Sequence, residues 1–120
     1  MNVAINALII YVIVFHVWAM VLEMLLWTKP LGRKTFGLSK DDAETSKTLA
    51  ANQGLYNGFL AAGLVLSLMV HNPETAFTLK VFFLACVSLA GLYGGLTAKI
   101  QILFMQGVPA LIALGLLLLG

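Results

Sequence analysis

Four long apolar stretches in a short chain constrain this fold more than any other feature of the sequence. A helix needs about 20 apolar residues to cross the hydrocarbon layer of a bilayer, and the stretches 3–27, 50–70, 76–96 and 100–119 all have that length in a chain of 120 residues. Composition points the same way. The chain is 61% hydrophobic and 10% charged, with mean hydropathy +0.99, whereas charged residues make up about a quarter of an ordinary soluble domain. The expectation is an all-α fold, a four-transmembrane-helix bundle forming a single integral membrane domain over residues 1–120.

The connections fit this division. Residues 28–38 carry Pro30, Gly32 and Gly37 and read as a loop, while His71-Asn72-Pro73-Glu74 reads as a turn with proline at a first helical position. The third connection, around 97–99, is very short. Ser39 before Lys40-Asp41-Asp42 has the form of a helix start, with a capping hydroxyl and acids near the positive end of the dipole. The second helix is therefore expected over 40–70, its first turns in water and its membrane part over about 50–70. Asp41, Asp42, Glu44 and Lys47 then form a solvated helix face.

Lys29, Arg33, Lys34, Lys40, Lys47 and Lys99 lie on one side of this arrangement, and Lys80 alone lies on the other. The excess of basic residues in short cytoplasmic loops predicts that loops 1 and 3 are cytoplasmic and that both termini face outward in a multi-pass protein of the cell inner membrane. Dispersed as they are, these cations form no nucleic-acid-binding face. No Lys or Arg precedes the first apolar run, and no small-x-small cleavage site closes it, so it reads as a retained span and not a secretion signal. Cys86, the sole cysteine, sits in an apolar run as buried filler.

Polar residues inside the spans carry the functional signal. His16 and Glu23 are seven residues apart and fall on nearly one stripe of the first helix, shared with Met20 and Trp27. Ionisable residues at such depth face the protein interior and count as a functional-site hypothesis. The bland alternatives are a protonated Glu23 that staples two helices and a His16 that bonds a neighbouring helix. On the second helix Asn52 and Tyr56 point one way, with Gln53 and Asn57 about 100° further round. Gly54, Gly58 and Ala61 form a small strip that suits helix packing, as do Gly91 and Gly95 on the third helix. Depth brings Glu23, Asn52, Gln53, Tyr56, Asn57, Tyr93, Thr97, Gln101 and Gln106 into the cytoplasmic half, with His16 roughly 10 Å further out by helical rise. Pro109 should free the Met105 carbonyl and bend the last helix.

The order of His16 and Glu23, the run Asn52-Gln53-Gly54-Leu55-Tyr56-Asn57-Gly58-Phe59-Leu60-Ala61-Ala62-Gly63-Leu64, then Gly91-Leu92-Tyr93-Gly94-Gly95-Leu96-Thr97 and Gln106-Gly107-Val108-Pro109-Ala110 resemble a family of small bacterial integral membrane proteins known only as domain of unknown function 1304. The resemblance covers essentially the whole chain. It implies a four-helix membrane protein and brings no activity, substrate or cofactor with it.

From the residues, three functions compete. The first is a polar pocket for a small lipophilic ligand, reached from the cytoplasm or the inner leaflet of membrane lipid. Asn52, Gln53, Asn57, Tyr93, Thr97 and Gln106 would bind the ligand, and His16, Glu23 and Tyr56 would give or take protons if it is transformed. The second is a small proton-coupled exporter using Glu23, against which the one-sided distribution of charge argues. The third is a structural or assembly subunit, with homo-oligomers formed through the Gly and Ala strips. No metal or other cofactor is expected, because His16 and Glu23 are two ligands where zinc needs three or four. No HExxH, glycine phosphate loop or GxSxG occurs in the sequence, and nothing in it proves turnover.

Overall fold

The computed structural model of the protein describes residues 2–120. All regular structure among them is helical, in five helices: α1 Asn2–Met24, α2 Pro30–Phe36, α3 Lys40–Met69, α4 Pro73–Thr97 and α5 Ile100–Leu119. Three of them are long and apolar enough to cross a membrane, namely α1 over Val3–Met24, α4 and α5. The fourth expected span, in α3, is not among these three. Its apolar half begins with the amides Asn52, Gln53 and Asn57, which lower the hydropathy of any window drawn across it.

The loop expected over 28–38 contains α2. Pro30 sits in its first turn, and Gly37 ends it in the left-handed region at φ 66°, a conformation glycine adopts without steric cost. Gly37 N–H reaches Lys34 O at 3.4 Å and Leu38 N–H reaches Arg33 O at 2.9 Å, which satisfies the last carbonyls. Gly32 is buried, and a Cβ there would collide with the backbone carbonyl of Leu26. The proline and glycines that suggested a loop are thus the start, the inner contact and the stop of a two-turn helix. For the same reason α1 ends at Met24 and not at residue 27, because the chain turns after it to bring α2 against Leu26.

Two helix starts follow the expected chemistry. Ser39 Oγ accepts from Asp42 N–H at 3.1 Å, and Asn72 Oδ1 accepts from Thr75 N–H at 3.0 Å with Pro73 opening α4. The latter places the start of α4 three residues ahead of the expected position 76.

The chain divides into two compact units. One comprises the chain up to Phe15 together with Leu60–Gly120. Its core is made of Ile5, Ile9, Val12, Leu64, Leu84, Val87, Ala110 and Ala113. Here α4 and α5 approach to backbone contact, since a Cβ on Gly91 would strike the backbone of Gly107 and one on Gly95 would strike Leu103. The small strip on α4 is therefore filled by α5 of the same chain.

Within α5, Leu103–Gly107 form a π-helical turn in which Val108 N–H reaches back five residues to Leu103 O. Pro109, one position later, has no N–H to offer. The Met105 carbonyl is satisfied from elsewhere, by the Tyr11 hydroxyl, which donates to it at 2.9 Å.

The second unit is His16–Phe59. Leu22, Ala43 and Ala50 are its buried apolar residues. Trp27 ties its parts together: its ring lies 4.8 Å from that of Phe36, and its Nε1–H donates to Ser46 Oγ at 3.0 Å. Ser46 Oγ in turn donates to Asp42 O at 2.6 Å.

Candidate functional site

The His16–Phe59 unit contains the buried ionisable groups. On α1, His16 is 1% exposed and Glu23 is 5% exposed, so the stripe they share faces inward as its seven-residue spacing requires. Along α3, Gly54 and Gly58 lie against that stripe: a Cβ on Gly54 would meet Met24 and Glu23, and one on Gly58 would meet Met20 Sδ. The missing side chains allow the two helices to approach closely. In that gap Asn57 Nδ2 donates a hydrogen bond to Glu23 Oε1. Asn57 thus shares the helix face of Gly54 and Gly58, one residue position round from the outward face.

The other expected pocket residues are distributed differently. Asn52 and Gln53 are exposed, and Tyr56 is 65% exposed with its ring 5.8 Å from that of Phe59. Tyr93, 73% exposed, Thr97 and the half-buried Gln106 belong to the other unit. Thr97 Oγ1 donates to Tyr93 O at 2.6 Å, a bond internal to α4. Gln106 stands inside the π-helical turn. Among the nine residues singled out from the sequence, Glu23 and Asn57 are joined by a side-chain hydrogen bond, and His16 is buried on the same stripe of α1 as Glu23.

Glu23 also lines an open cleft of about 320 Å³, together with Met24, Leu25, Trp27, Thr28, Lys47, Thr48 and Ala51. Its walls are mixed: Met24, Leu25, Trp27 and Ala51 are apolar, while Thr28 and Thr48 offer hydroxyls. Lys47 brings a cation whose Nζ is 3.1 Å from Glu44 Oε1. A carboxyl in such a setting can orient the polar end of a guest or exchange a proton with it. Among the described residues no group of three or more His, Cys, Asp and Glu side chains is placed to hold a metal ion.

Sequence reasoning missed Lys47, Thr48 and Trp27 in the cleft and Tyr11 in the other unit. Lys47 and Thr48 were hidden in what reads as a solvated face, and the ion pair with Glu44 gives no hint of a cleft. Trp27 had a usable signal, since it continues the stripe of His16 and Glu23, but the turn after Met24 was needed to swing it onto Phe36. Tyr11 had one as well: a phenol in an apolar span needs an acceptor, and Pro109 leaves one at Met105.

The profile of a family described as "Protein of unknown function (DUF1304)" matches residues 10–118. The chain is also similar to a protein of Lactococcus lactis subsp. lactis (strain IL1403) described as "Uncharacterized protein YpaA". The two are 30% identical over 99 residues, which cover 81% of this chain and 82% of that one. No solved structure matches the chain.

Proposed function

This chain belongs to the DUF1304 family of proteins of unknown function, and on that premise we propose that it binds a small lipophilic molecule in the Glu23 cleft from the membrane. The three long apolar helices make it a multi-pass membrane protein. In this reading the apolar half of α3 supplies a fourth crossing, which sets both termini outside and the basic connections in the cytoplasm. The carrying observation is a buried carboxyl, bonded by Asn57, that lines a cleft of mixed polarity. Intramembrane carboxyls are costly to keep and are commonly retained for a site, and a volume of about 320 Å³ is at the small end of ligand pockets. Met24, Leu25, Trp27 and Ala51 would cover the apolar part of the guest. Thr28, Thr48 and Lys47 would meet its polar end, with Glu23 giving or taking a proton.

Native mass spectrometry of the protein released from gentle micelles tests this. Unmodified protein should retain a small lipophilic species that Ala51→Trp, which fills the cleft, removes and that Glu23→Gln weakens. Identical adduct-free spectra for all three proteins, with and without added membrane extract, would sink the reading.

The exposed amides of Asn52 and Gln53 and the phenol of Tyr56 favour a second reading, an assembly subunit whose polar α3 face meets another helix. That reading gains if Asn52→Leu with Gln53→Leu abolishes a defined oligomer while Ala51→Trp leaves the cellular phenotype unchanged.

A further inference from the structure

Between Thr28 and Leu38 the sequence holds Lys29, Arg33 and Lys34 and no acidic residue. The fold gathers these cations on one short element. Lys29 and Arg33 are one turn apart, with Arg33 N–H bonded to Lys29 O at 3.0 Å, and Lys34 follows in the last turn of α2. The contacts of Gly32 with Leu26 and of Phe36 with Trp27 hold α2 close after the end of the apolar span Val3–Met24. It therefore lies where the chain leaves the hydrocarbon layer. Leu31 on α2 is half exposed, an apolar side chain beside the charges.

Among the described residues none of those three cations is in an ion pair, the one such pair being Lys47 with Glu44. Arg33 Nε is moreover buried and without a hydrogen-bond partner, and an unmet donor of a charged group is expensive. An acceptor of negative charge brought from outside the chain meets the first demand, at the exposed Lys29 and Lys34 and the half-buried Arg33, while the enclosed Nε itself lies out of its reach. A guanidinium suits a phosphate because its fork presents parallel donors to the oxygens, and the lysines add attraction without geometric demand.

We propose that α2 and the turn before it form a docking surface for an anionic phospholipid, with the headgroup phosphodiester on Lys29, Arg33 and Lys34 and the upper acyl chain along Leu31 and Trp27. A free phosphate would leave the apolar side chains bare. A zwitterionic lipid would bring its own cation among three others. The surface shares Trp27 with the Glu23 cleft but none of its three cations lines that cleft, so removing Lys29, Arg33 and Lys34 tests the surface while leaving Glu23 and Lys47, on which the cleft reading rests, in place.

Trp27 supplies the reporter. With Trp18→Phe it is the remaining tryptophan of the two. In vesicles of phosphatidylcholine and phosphatidylglycerol, bromine atoms on the acyl chains of one lipid or the other quench Trp27 according to which lipid sits beside it. Brominated phosphatidylglycerol should quench severalfold more than brominated phosphatidylcholine at equal mole fraction. Lys29→Gln, Arg33→Gln and Lys34→Gln together should bring the ratio to one, and the charge-keeping set Lys29→Arg, Arg33→Lys and Lys34→Arg should preserve most of it. Raising salt to about 1 M, where the screening length falls to about 3 Å, should lower the ratio in the protein with its basic residues intact. That arm needs no folding-competent charge variant. Equal quenching by the two lipids, or a ratio indifferent to both charge removal and salt, overturns the proposal. Loss of the ratio on adding inorganic phosphate would overturn the assignment to lipid.

Discussion

The α4–α5 contact and the contact between α1 and the first half of α3 both depend on glycine, yet glycine does different work in each. In the first, the space over Gly91 is taken by the backbone of Gly107, and the space over Gly95 by the Cβ and backbone of Leu103. In the second, the spaces over Gly54 and Gly58 are mainly bounded by side chains, those of Met24, Glu23 and Met20. A backbone neighbour cannot step aside, whereas a methionine can change rotamer. The first contact is a fixed joint. The second tolerates adjustment and admits a carboxyl and an amide.

The largest effect that would test this difference is Gly91→Ala. A single methyl group has no room against Gly107, and overpacking of this kind should cost about 3 kcal/mol, read as a lowered unfolding midpoint of the purified protein in micelles. An unchanged midpoint would mean that the α4–α5 joint can yield. Next comes Asn57→Leu, which strands a buried Glu23 oxygen and should cost about 1–3 kcal/mol. Glu23→Leu with Asn57→Leu should recover much of that, with a coupling in the double-mutant cycle of about 0.6–1.7 kcal/mol. A coupling of zero would remove the pair from any account of the site. Tyr11→Phe should cost about 0.5–1.5 kcal/mol by withdrawing the donor to Met105 O, and its effect should vanish when Pro109→Ala returns an N–H to the helix. The smallest effect is expected for Gly58→Ala. Met20 Sδ must shift, but alanine gains roughly 0.8–1.0 kcal/mol of helix propensity, so the midpoint should stay level or rise slightly.

Much of the helical layout is legible in the residues alone, because the length of an apolar run and the chemistry of a helix start are local properties. Ser39, Asn72 and Pro73 act where their side chains say they should. The seven-residue spacing of His16 and Glu23 likewise places both inward, and the small strip of Gly91 and Gly95 does receive a helix. What the residues alone do not reveal is which neighbour each face meets. Asn57 and Gln53 are indistinguishable by composition, and four residues apart they lie only about 40° from one another round the helix. One is half buried and bonded to Glu23 and the other is exposed. Pro30 and Gly37 were ambiguous for another reason. Proline opens helices and glycine closes them, but both also mark loops, and with only six residues between the two positions no apolar period can decide.

The π-helical turn at Leu103–Gly107 bears on how this helix can be aligned or altered. Such a turn takes up one residue more than an α-turn, so the two ends of α5 are out of phase by about 100° relative to an uninterrupted helix. Ile102 before it and Leu103 at its start meet Gly94 and Gly95, while Ala110 and Ala113 after it enter the core. The turn absorbs its extra residue locally, and both sets face inward. Deleting one residue from that turn would convert it to an ordinary α-turn and keep both ends of α5 in their present phase, whereas a deletion elsewhere in α5 would rotate one end by about 100°.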